Sequence, residues 1–231
     1  MSDPLFAASD DAATPLSPEE QAQIIPTYIT TRAQLNEAEQ LNITEADLWA
    51  ITRKRNILSE AFLKNLHKRM FRRVWKWAGT FRASERNIGI EPYRIPSELR
   101  TLLNDVDYWV EHRTYPPDEI AVRFHHRLVS IHPFPNGNGR HARLAADLLA
   151  VTLGQKRFTW GNANLVEPAA ARAAYIGALQ AADDHDIDSL LAFARSRSRT
   201  MLNRTALETR SCHRHAMSTH SFGFRESHWF S

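Results

Sequence analysis

Apolar side chains recur at spacings of three and four residues over most of the chain, which is the period of amphipathic α-helices. The clearest case is residues 58–77, where an apolar stripe is surrounded by lysines and arginines; it consists of Leu63, Leu66, Met70, Val74 and Trp77. Gly79 is predicted to end this helix. A basic outer face could bind nucleic-acid phosphates, but a solvated helix surface over core tryptophans explains it as well.

Further helices are predicted from capping residues followed by renewed apolar periods. Ser17 indicates a short helix near the N-terminus, residues 31–40 a second one, and Thr44 the start of a separate third one. Ser97 is predicted to cap the next helix, and Pro117 lies at the start of another. The apolar period also predicts helices over residues 142–153, 167–183 and 187–195.

The helical period breaks between residues 80 and 96. Asn87, Gly89, Pro92 and Pro96 lie there among isoleucines and a tyrosine, a composition typical of a short β-hairpin or flap. The chain shows no internal repeat and no alternation of strands with helices. We therefore predict a mainly α fold, a helical bundle with one small β element.

Composition and charge change this picture little. The chain has 231 residues, 43% of them hydrophobic and 24% charged, which is ordinary for a globular protein. The net charge is +3, and residues 201–231 carry two of these charges, with four arginines against two glutamates. Such a small surplus does not require a nucleic-acid partner. The single cysteine, Cys212, excludes an intrachain disulfide.

The stretch from His132 to Arg143 carries the candidate chemistry. Gly137 and Gly139 allow consecutive backbone N–H groups to turn toward one point, at the start of the helix predicted to begin near Arg140. Helix N-termini have unsatisfied donors and partial positive charge, which favours phosphate. Arg140 and Arg143 are three residues apart, so both guanidinium groups reach the same side. We therefore predict a site for a nucleotide di- or triphosphate.

His132 lies at the end of the preceding predicted helix, where its imidazole can face the bound phosphates. Histidine titrates near pH 6.5 and is therefore suited to take a proton from a hydroxyl nucleophile. Together these parts indicate attack of a hydroxyl on a nucleotide phosphate. If only H-P-F or only G-N-G were present, the alternative would be a glycine-rich turn between two helices with a histidine that caps one of them.

The whole stretch resembles the signature of the Fic (filamentation induced by cAMP) family, H-x-F-x-(D/E)-G-N-G-R-x-x-R. The matching residues are His132, Phe134, Gly137, Asn138, Gly139, Arg140 and Arg143. Residues 124–131 are similar to the helix that precedes the motif in this family, and the resemblance extends over residues 35–193. It is strongest to the group called mobile mystery protein B. The resemblance implies the Fic fold, with a central helix-loop-helix and a β-hairpin flap.

The resemblance also implies an activity: a protein adenylyltransferase moves AMP from ATP to a Ser, Thr or Tyr hydroxyl of a target protein, in some cases as a toxin. His132 corresponds to the general base and Phe134 to a core anchor. The phosphate-binding positions correspond to Gly137, Asn138, Gly139, Arg140 and Arg143, and the tyrosine beside the nucleobase to Tyr175. The flap that docks the target segment as an added strand corresponds to Arg86, Asn87, Ile88 and Gly89.

The sequence departs from the family pattern at Asn136, where an acidic ligand for Mg²⁺ is usual. Magnesium prefers anionic oxygens but takes much of its coordination from phosphates and water, so an amide weakens the site without abolishing it. A working Mg²⁺-dependent and ATP-dependent transferase is the leading hypothesis. The alternatives are an impaired nucleotide-binding or regulatory module and a transferase for another nucleotide.

Many relatives carry an inhibitory helix with the pattern (S/T)-x-x-x-E-(G/N), whose glutamate pairs with the second motif arginine. Residues 35–40 keep only the glutamate, so Glu39 is a candidate partner of Arg143. A solvated helix face that carries Glu37 and Glu39 is the alternative. If Glu39 has no inhibitory role, inhibition by a separate antitoxin-like partner becomes the alternative hypothesis.

We expect three segments: residues 1–30, partly helical; residues 31–200, the Fic domain; and residues 201–231, a tail without apolar periodicity that is expected to be disordered. No apolar run is long enough to span a bilayer, and residues 1–15 lack the basic start of a secretion signal. We therefore expect a cytoplasmic protein with no membrane partner. The sequence does not indicate an oligomeric state.

Overall fold

The computed structural model describes residues 18–161 and 168–196. Within these ranges the chain forms eight α-helices and one 3₁₀ turn at Pro92–Arg94. The helices are α1 (Pro18–Gln21), α2 (Arg32–Ile51), α3 (Glu60–Phe71), α4 (Ile95–His112), α5 (Pro117–Ile131), α6 (Asn138–Thr152), α7 (Pro168–Asp183) and α8 (Ile187–Arg195). The predicted cap at Ser17 and the predicted tail over 201–231 lie outside the described residues.

Helices α5 and α6 form the centre of the bundle and are joined by residues 132–137. Helix α5 packs against α4, α6 and α8, and α6 also packs against α2 and α3. The face predicted for α5 is buried as expected, with Ile120, Phe124 and Leu128 each at most 2% exposed. Among the described helices, none combines the length and the apolar character needed to cross a bilayer.

Two helix boundaries differ from the sequence prediction in the first half of the chain. Thr31 caps α2 through a reciprocal capping box with Gln34, but the helix then runs without a break to Ile51. The predicted start at Thr44 is wrong, because its hydroxyl bonds the Gln40 carbonyl one turn back, at 3.0 Å, inside the helix. Helix α3 ends at Phe71 and not at Gly79.

The segment before α4 also differs from the prediction. In the described ranges there is no strand; isolated β-bridge positions occur at Ile24, which pairs with Trp75, and at Thr31. Residues 80–91 form no hairpin and lead into the 3₁₀ turn. Helix α4 begins at Ile95, two residues before the predicted cap, since Pro96 suits the first turn of a helix. The Ser97 hydroxyl therefore lies inside the helix and bonds the Arg94 carbonyl at 2.8 Å.

Three histidines are fully buried in the helical core: His67, His125 and His141. His67 receives a hydrogen bond from the Gly79 N–H at Nδ1 and donates from Nε2 to the Asn136 carbonyl. His141 donates from Nε2 to the Leu63 carbonyl at 3.0 Å. Burial lowers the pKa of His67 well below its ordinary value and that of His141 to about 4. Burial, with the charge of Arg143, lowers the pKa of His125 to about 3.

These histidines make the fold sensitive to acid. Between pH 6.5 and the lowered pKa values the unfolded chain binds more protons, so the free energy of unfolding falls as the pH falls, by about 1.4 kcal/mol per pH unit and histidine. Burial raises the pKa of Asp147 to about 6. Below pH 6 this carboxyl binds more protons in the folded chain than in the unfolded chain, which offsets the loss of stability caused by one histidine. We expect urea denaturation to show a clear net loss of stability between pH 7 and pH 5.

A matched pair of variants separates this effect from general acid denaturation. His141→Gln retains a donor near the Nε2 position and removes one titrating group, so the pH slope should flatten by about 1.4 kcal/mol per pH unit. His112→Gln, on the exposed end of α4, should leave the slope unchanged. If the free energy of unfolding depends on pH equally steeply in both variants, the buried histidines are not the cause of the acid sensitivity.

Candidate active site

The loop between α5 and α6 begins with a left-handed residue. His132 ends α5 with φ 53° and ψ 60°, and its N–H bonds the Leu128 carbonyl at 3.3 Å. A histidine in this conformation is uncommon, and it turns the chain sharply out of the helix. Within six residues the chain starts α6 at Asn138. His132 and the N-terminus of α6 therefore lie at the two ends of one short loop.

The loop is braced from inside by Asn138. Its Oδ1 accepts from the Phe134 N–H at 2.9 Å, and its Nδ2 donates to the Phe134 carbonyl at 2.8 Å. Phe134 is fully buried and stacks on His67 with ring centroids 3.7 Å apart, in agreement with its expected anchoring role. The Asn138 side chain is thus occupied by the loop, so only its backbone N–H is left for the predicted phosphate.

Gly137 is the residue at which the loop turns into α6. Its φ is 76°, and a Cβ there would lie 2.5 Å from the Phe71 ring, so the position admits only glycine. No side chain caps α6. Among the described residues, no acceptor bonds the N–H groups of Asn138, Gly139 and Arg140. These donors point out of the helix start and suit an anion.

Arg140 is already bound to a carboxylate. Its Nη1 lies 2.6 Å from Oε2 of Glu39 on α2, and the other Glu39 oxygen accepts from the Trp75 indole N–H at 2.5 Å. Glu39 is only 4% exposed, so its side of α2 is not a solvated face. The sequence predicted Arg143 as its partner; the structure pairs it with Arg140 instead.

Arg143 is the motif arginine that remains available. It forms no hydrogen bond or ion pair with any described residue, and its guanidinium group lies 5.2 Å from the centroid of the Tyr175 ring. Burial lowers the pKa of Arg143 because desolvation disfavours the cation; the charge of Arg140 adds to this effect, whereas Tyr175 and Asp147 oppose it. Arg143 and Arg140 line a cavity of about 270 Å³ between α2 and α6, which Asp147 and Arg157 also line.

Tyr175 on α7 lies beside the start of α6. Its hydroxyl is 3.0 Å from His125 Nε2 and would be 3.7 Å from a Cβ at Gly139. Burial raises the pKa of Tyr175 to about 12, so it stays neutral at physiological pH. The predicted nucleobase residue is therefore next to the predicted phosphate loop, although the two are more than thirty residues apart in sequence.

His132 is held as a neutral imidazole. Burial lowers its pKa to about 4, the charges of Arg82 and Arg86 add to this effect, and the Val129 backbone opposes it. Its Nδ1 is buried without a well-aligned hydrogen-bond partner among the described residues, and Nε2 forms no hydrogen bond with them. An unprotonated ring nitrogen next to a phosphate site is suited to accept a proton at neutral pH.

The flap residues lie over His132. Gly89 has φ 100°, and a Cβ at this position would lie 2.5 Å from the His132 Cβ, so the Gly89 backbone packs directly against the His132 side chain. Ile88 next to it is 61% exposed, and Arg86 forms an ion pair with Glu20 at 3.1 Å. Asn87 is also exposed. The predicted docking segment and the predicted base are thus adjacent.

Sequence reasoning missed three residues that organise this site: His67, Trp75 and Arg82. His67 joins α3 to the loop through Asn136, Trp75 holds Glu39, and Arg82 bonds the His132 carbonyl at 2.6 Å. Each has partners far away in the chain. No local spacing signals such contacts, and the amphipathic pattern alone assigns Trp75 to the core.

The residues present do not form a metal site by themselves. The described part of the chain holds no group of three or more His, Cys, Asp or Glu side chains able to bind an ion. Asn136 offers a neutral amide oxygen, and this Oδ1 already accepts from the Gly137 N–H at 2.6 Å. Mg²⁺ prefers anionic oxygens, so a metal ion here would depend on ligands that a phosphate substrate brings.

Residues 57–150 match the model of the Fic/DOC family. Among curated proteins, the chain is 34% identical over 79 residues to the protein adenylyltransferase Fic of Aedes aegypti, which covers 33% of this chain and 16% of that protein. It is 28% identical over 130 residues to the protein adenylyltransferase fic-1 of Caenorhabditis elegans, covering 55% and 24%. The chain thus spans less than a quarter of the length of these relatives.

Solved structures show the same fold. Fic-1 from C. elegans aligns with a TM-score of 0.57 at 22% identity, over 84% of this chain and 57% of that one. BepC from Bartonella tribocorum, solved with bound AMPPNP, aligns with a TM-score of 0.57 at 18% identity, over 78% and 97%. An N-terminal Fic domain from Bartonella quintana with bound ADP gives 0.58 at 17% identity, over 76% and 91%. The predicted mainly α architecture is confirmed.

Proposed function

Because this chain carries a Fic/DOC-family domain within residues 57–150, we propose that it is a protein adenylyltransferase that moves AMP from ATP to a hydroxyl of a target protein. One observation carries the proposal. The loop places unbonded helix N–H groups and an unpaired Arg143 at one end, and a neutral His132 under the flap at the other.

The first part of the chemistry is phosphate binding. The N–H groups at the start of α6 are fixed by Asn138 and Gly137, so they need no rearrangement when an anion arrives. Arg143 adds a positive charge from the second turn of the helix. This combination favours the triphosphate of ATP over a single phosphate. Relatives solved with bound AMPPNP and ADP support a nucleotide as the ligand.

The second part is the transfer itself. The target hydroxyl oxygen attacks the α-phosphorus, the bond from that phosphorus to the β-bridging oxygen breaks, and pyrophosphate leaves. His132 Nε2 takes the hydroxyl proton, since the ring is unprotonated at pH 7 and this nitrogen forms no hydrogen bond with the described residues. Arg143 and the helix N–H groups stabilise the charge that develops on the departing phosphates. Tyr175 is proposed to pack beside the adenine.

The third part is target docking. The N–H groups of residues 83–90 form no backbone hydrogen bond with the described residues, so an extended target segment can pair with this backbone as an added strand. Such pairing places a Ser, Thr or Tyr of the target above His132. A toxin-like role and an antitoxin-like partner remain predictions of the family resemblance, and the cytoplasmic location remains a prediction from the sequence.

His132→Ala should remove the base and leave the phosphate loop intact. We expect transfer of label from [α-³²P]ATP to lysate proteins or to the protein itself to fall by about 100-fold or more, with ATP binding retained. His112→Ala, on the exposed end of α4, is the control and should transfer as the unaltered protein does. If the unaltered protein binds ATP and labels nothing, it is a nucleotide-binding module and not a transferase.

Glu39→Gln should increase transfer. We propose that Arg140 binds the β-phosphate of ATP; Glu39 occupies this arginine and therefore competes with the substrate. Glutamine keeps the acceptor for Trp75 but not the charge. We expect label transfer to rise by about tenfold, equivalent to 1.4 kcal/mol of relieved competition. Glu37→Gln, exposed on the same helix, should have no effect. Equal rates in both variants would argue for inhibition by a separate partner.

Asn136→Asp should shift the metal dependence. We propose that ATP enters as its Mg²⁺ complex and that Asn136 contributes at most one neutral oxygen. An aspartate there should lower the Mg²⁺ concentration needed for half-maximal label transfer, whereas Asn65→Asp, exposed on α3, should not. An unchanged Mg²⁺ dependence in the aspartate variant would disprove the assignment of position 136 as a metal ligand.

A further inference from the structure

Arg82 is a buried arginine whose hydrogen bonds all go to backbone carbonyls. It is 4% exposed, and its Nε donates to the His132 carbonyl at 2.6 Å. Nη1 donates to the Ser84 carbonyl at 3.1 Å, and Nη2 donates to the Ile90 carbonyl. A longer contact of 3.4 Å joins Nη2 to the carbonyl at position 131. No described carboxylate forms an ion pair with this guanidinium group.

These contacts hold together the two ends of the flap, residues 83–90. Ser84 and Ile90 lie on the two sides of the flap tip, and the same guanidinium group bonds both of them. The Arg82 N–H also bonds the Pro133 carbonyl at 3.0 Å. Since residues 83–90 donate no backbone hydrogen bond to the described chain, Arg82 supplies the backbone anchors that position this segment. The planar fork of arginine suits such a task, because one rigid group reaches several acceptors.

The same contacts join the flap to the catalytic loop. Gly89 lies against His132, and a Cβ there would lie 2.8 Å from Arg82 Nη2, so flap, guanidinium group and histidine are in mutual contact. Burying an arginine without a carboxylate costs free energy that only its hydrogen bonds offset. The charge also acts on its neighbour: Arg82 and Arg86 are the charged groups that face His132, and both disfavour its protonation.

We propose that Arg82 is a positioning residue that fixes the flap backbone over His132. The inference rests on the proposed transfer, for which flap and base must act on one hydroxyl. Two physical properties of Arg82 have two separate effects. The shape of the guanidinium group orders the flap, and its positive charge adds to the effect of burial in lowering the pKa of His132.

Two variants separate shape from charge. Arg82→Lys retains the positive charge but loses the planar guanidinium fork. It should therefore free the flap and leave the pKa of His132 low. Arg82→Gln loses both, so it should free the flap and raise the pKa of His132 by about one unit. Arg94→Gln is the matched control, since Arg94 is exposed and pairs with Glu98 on α4. It should change neither property.

Both properties are measured without any transfer reaction. The pKa of His132 comes from NMR titration of ¹³C-labelled histidine, with His132→Ala to assign the signal, and flap order comes from hydrogen exchange of residues 83–90. Where transfer is observed, we expect both variants to raise the KM for the target protein by about tenfold. The acid limb of kcat should move to higher pH only in Arg82→Gln.

The outcomes distinguish this inference from the proposed function. If no nucleotide is ever transferred but the titration and exchange change as expected, Arg82 has the positioning role and the transferase proposal is wrong. If transfer occurs while Arg82→Gln leaves both measurements as in Arg94→Gln, the positioning role is wrong. Should Arg82→Gln fail to fold, Arg82→Lys decides alone: unchanged flap exchange in this variant overturns the proposal.

Discussion

The pair of hydrogen bonds between the Asn138 side chain and the Phe134 peptide sets the shape of the loop on which the site depends. Only an amide side chain offers a donor and an acceptor side by side, so neither Asp nor Leu of similar size can replace it. Each bond is worth about 1 kcal/mol net, but an unpaired buried peptide group costs about 1–3 kcal/mol. The loop therefore has one favoured conformation, and α6 starts with its N–H groups directed at the cleft.

His67 supports the same loop from the other side. It stacks on Phe134 and bonds the Asn136 carbonyl, while its second nitrogen accepts from Gly79. A neutral imidazole can donate and accept at the same time, which a protonated one cannot. Burial keeps the ring neutral, so the acid sensitivity of the core and the rigidity of the loop have one physical origin.

The cations of the site are treated differently by their surroundings. Arg140 has a carboxylate partner in Glu39, Arg82 has only carbonyl partners, and Arg143 has an aromatic ring and the cavity. A desolvated cation is stabilised only by the groups that it contacts. The three guanidinium groups are chemically identical, but because their partners differ, their roles differ. Arg140 is restrained, Arg82 orders backbone, and Arg143 is available to an anion. Helix α2 takes part in the site through Glu39, which Trp75 holds in place.

The sequence by itself determined the elements whose signals are local. The apolar faces of α5 and α6, the limits of α8 and the motif from His132 to Arg143 follow from spacings of three and four residues and from capping chemistry. It misplaced the end of α3 and the start of α4, and it divided α2 at Thr44, because a threonine inside a helix bonds the preceding turn as readily as it caps a new one.

Only the tertiary structure decided the contacts between distant parts of the chain. Glu39 and Arg140 are 101 residues apart and Arg82 and His132 are 50 apart, so no local period connects them. The segment predicted as a hairpin has no strand, since its carbonyls bond the Arg82 side chain where a hairpin would pair them with a second strand. Which of several arginines meets a carboxylate, a carbonyl or an open cavity depends on how the helices pack, and packing is a property of the whole chain.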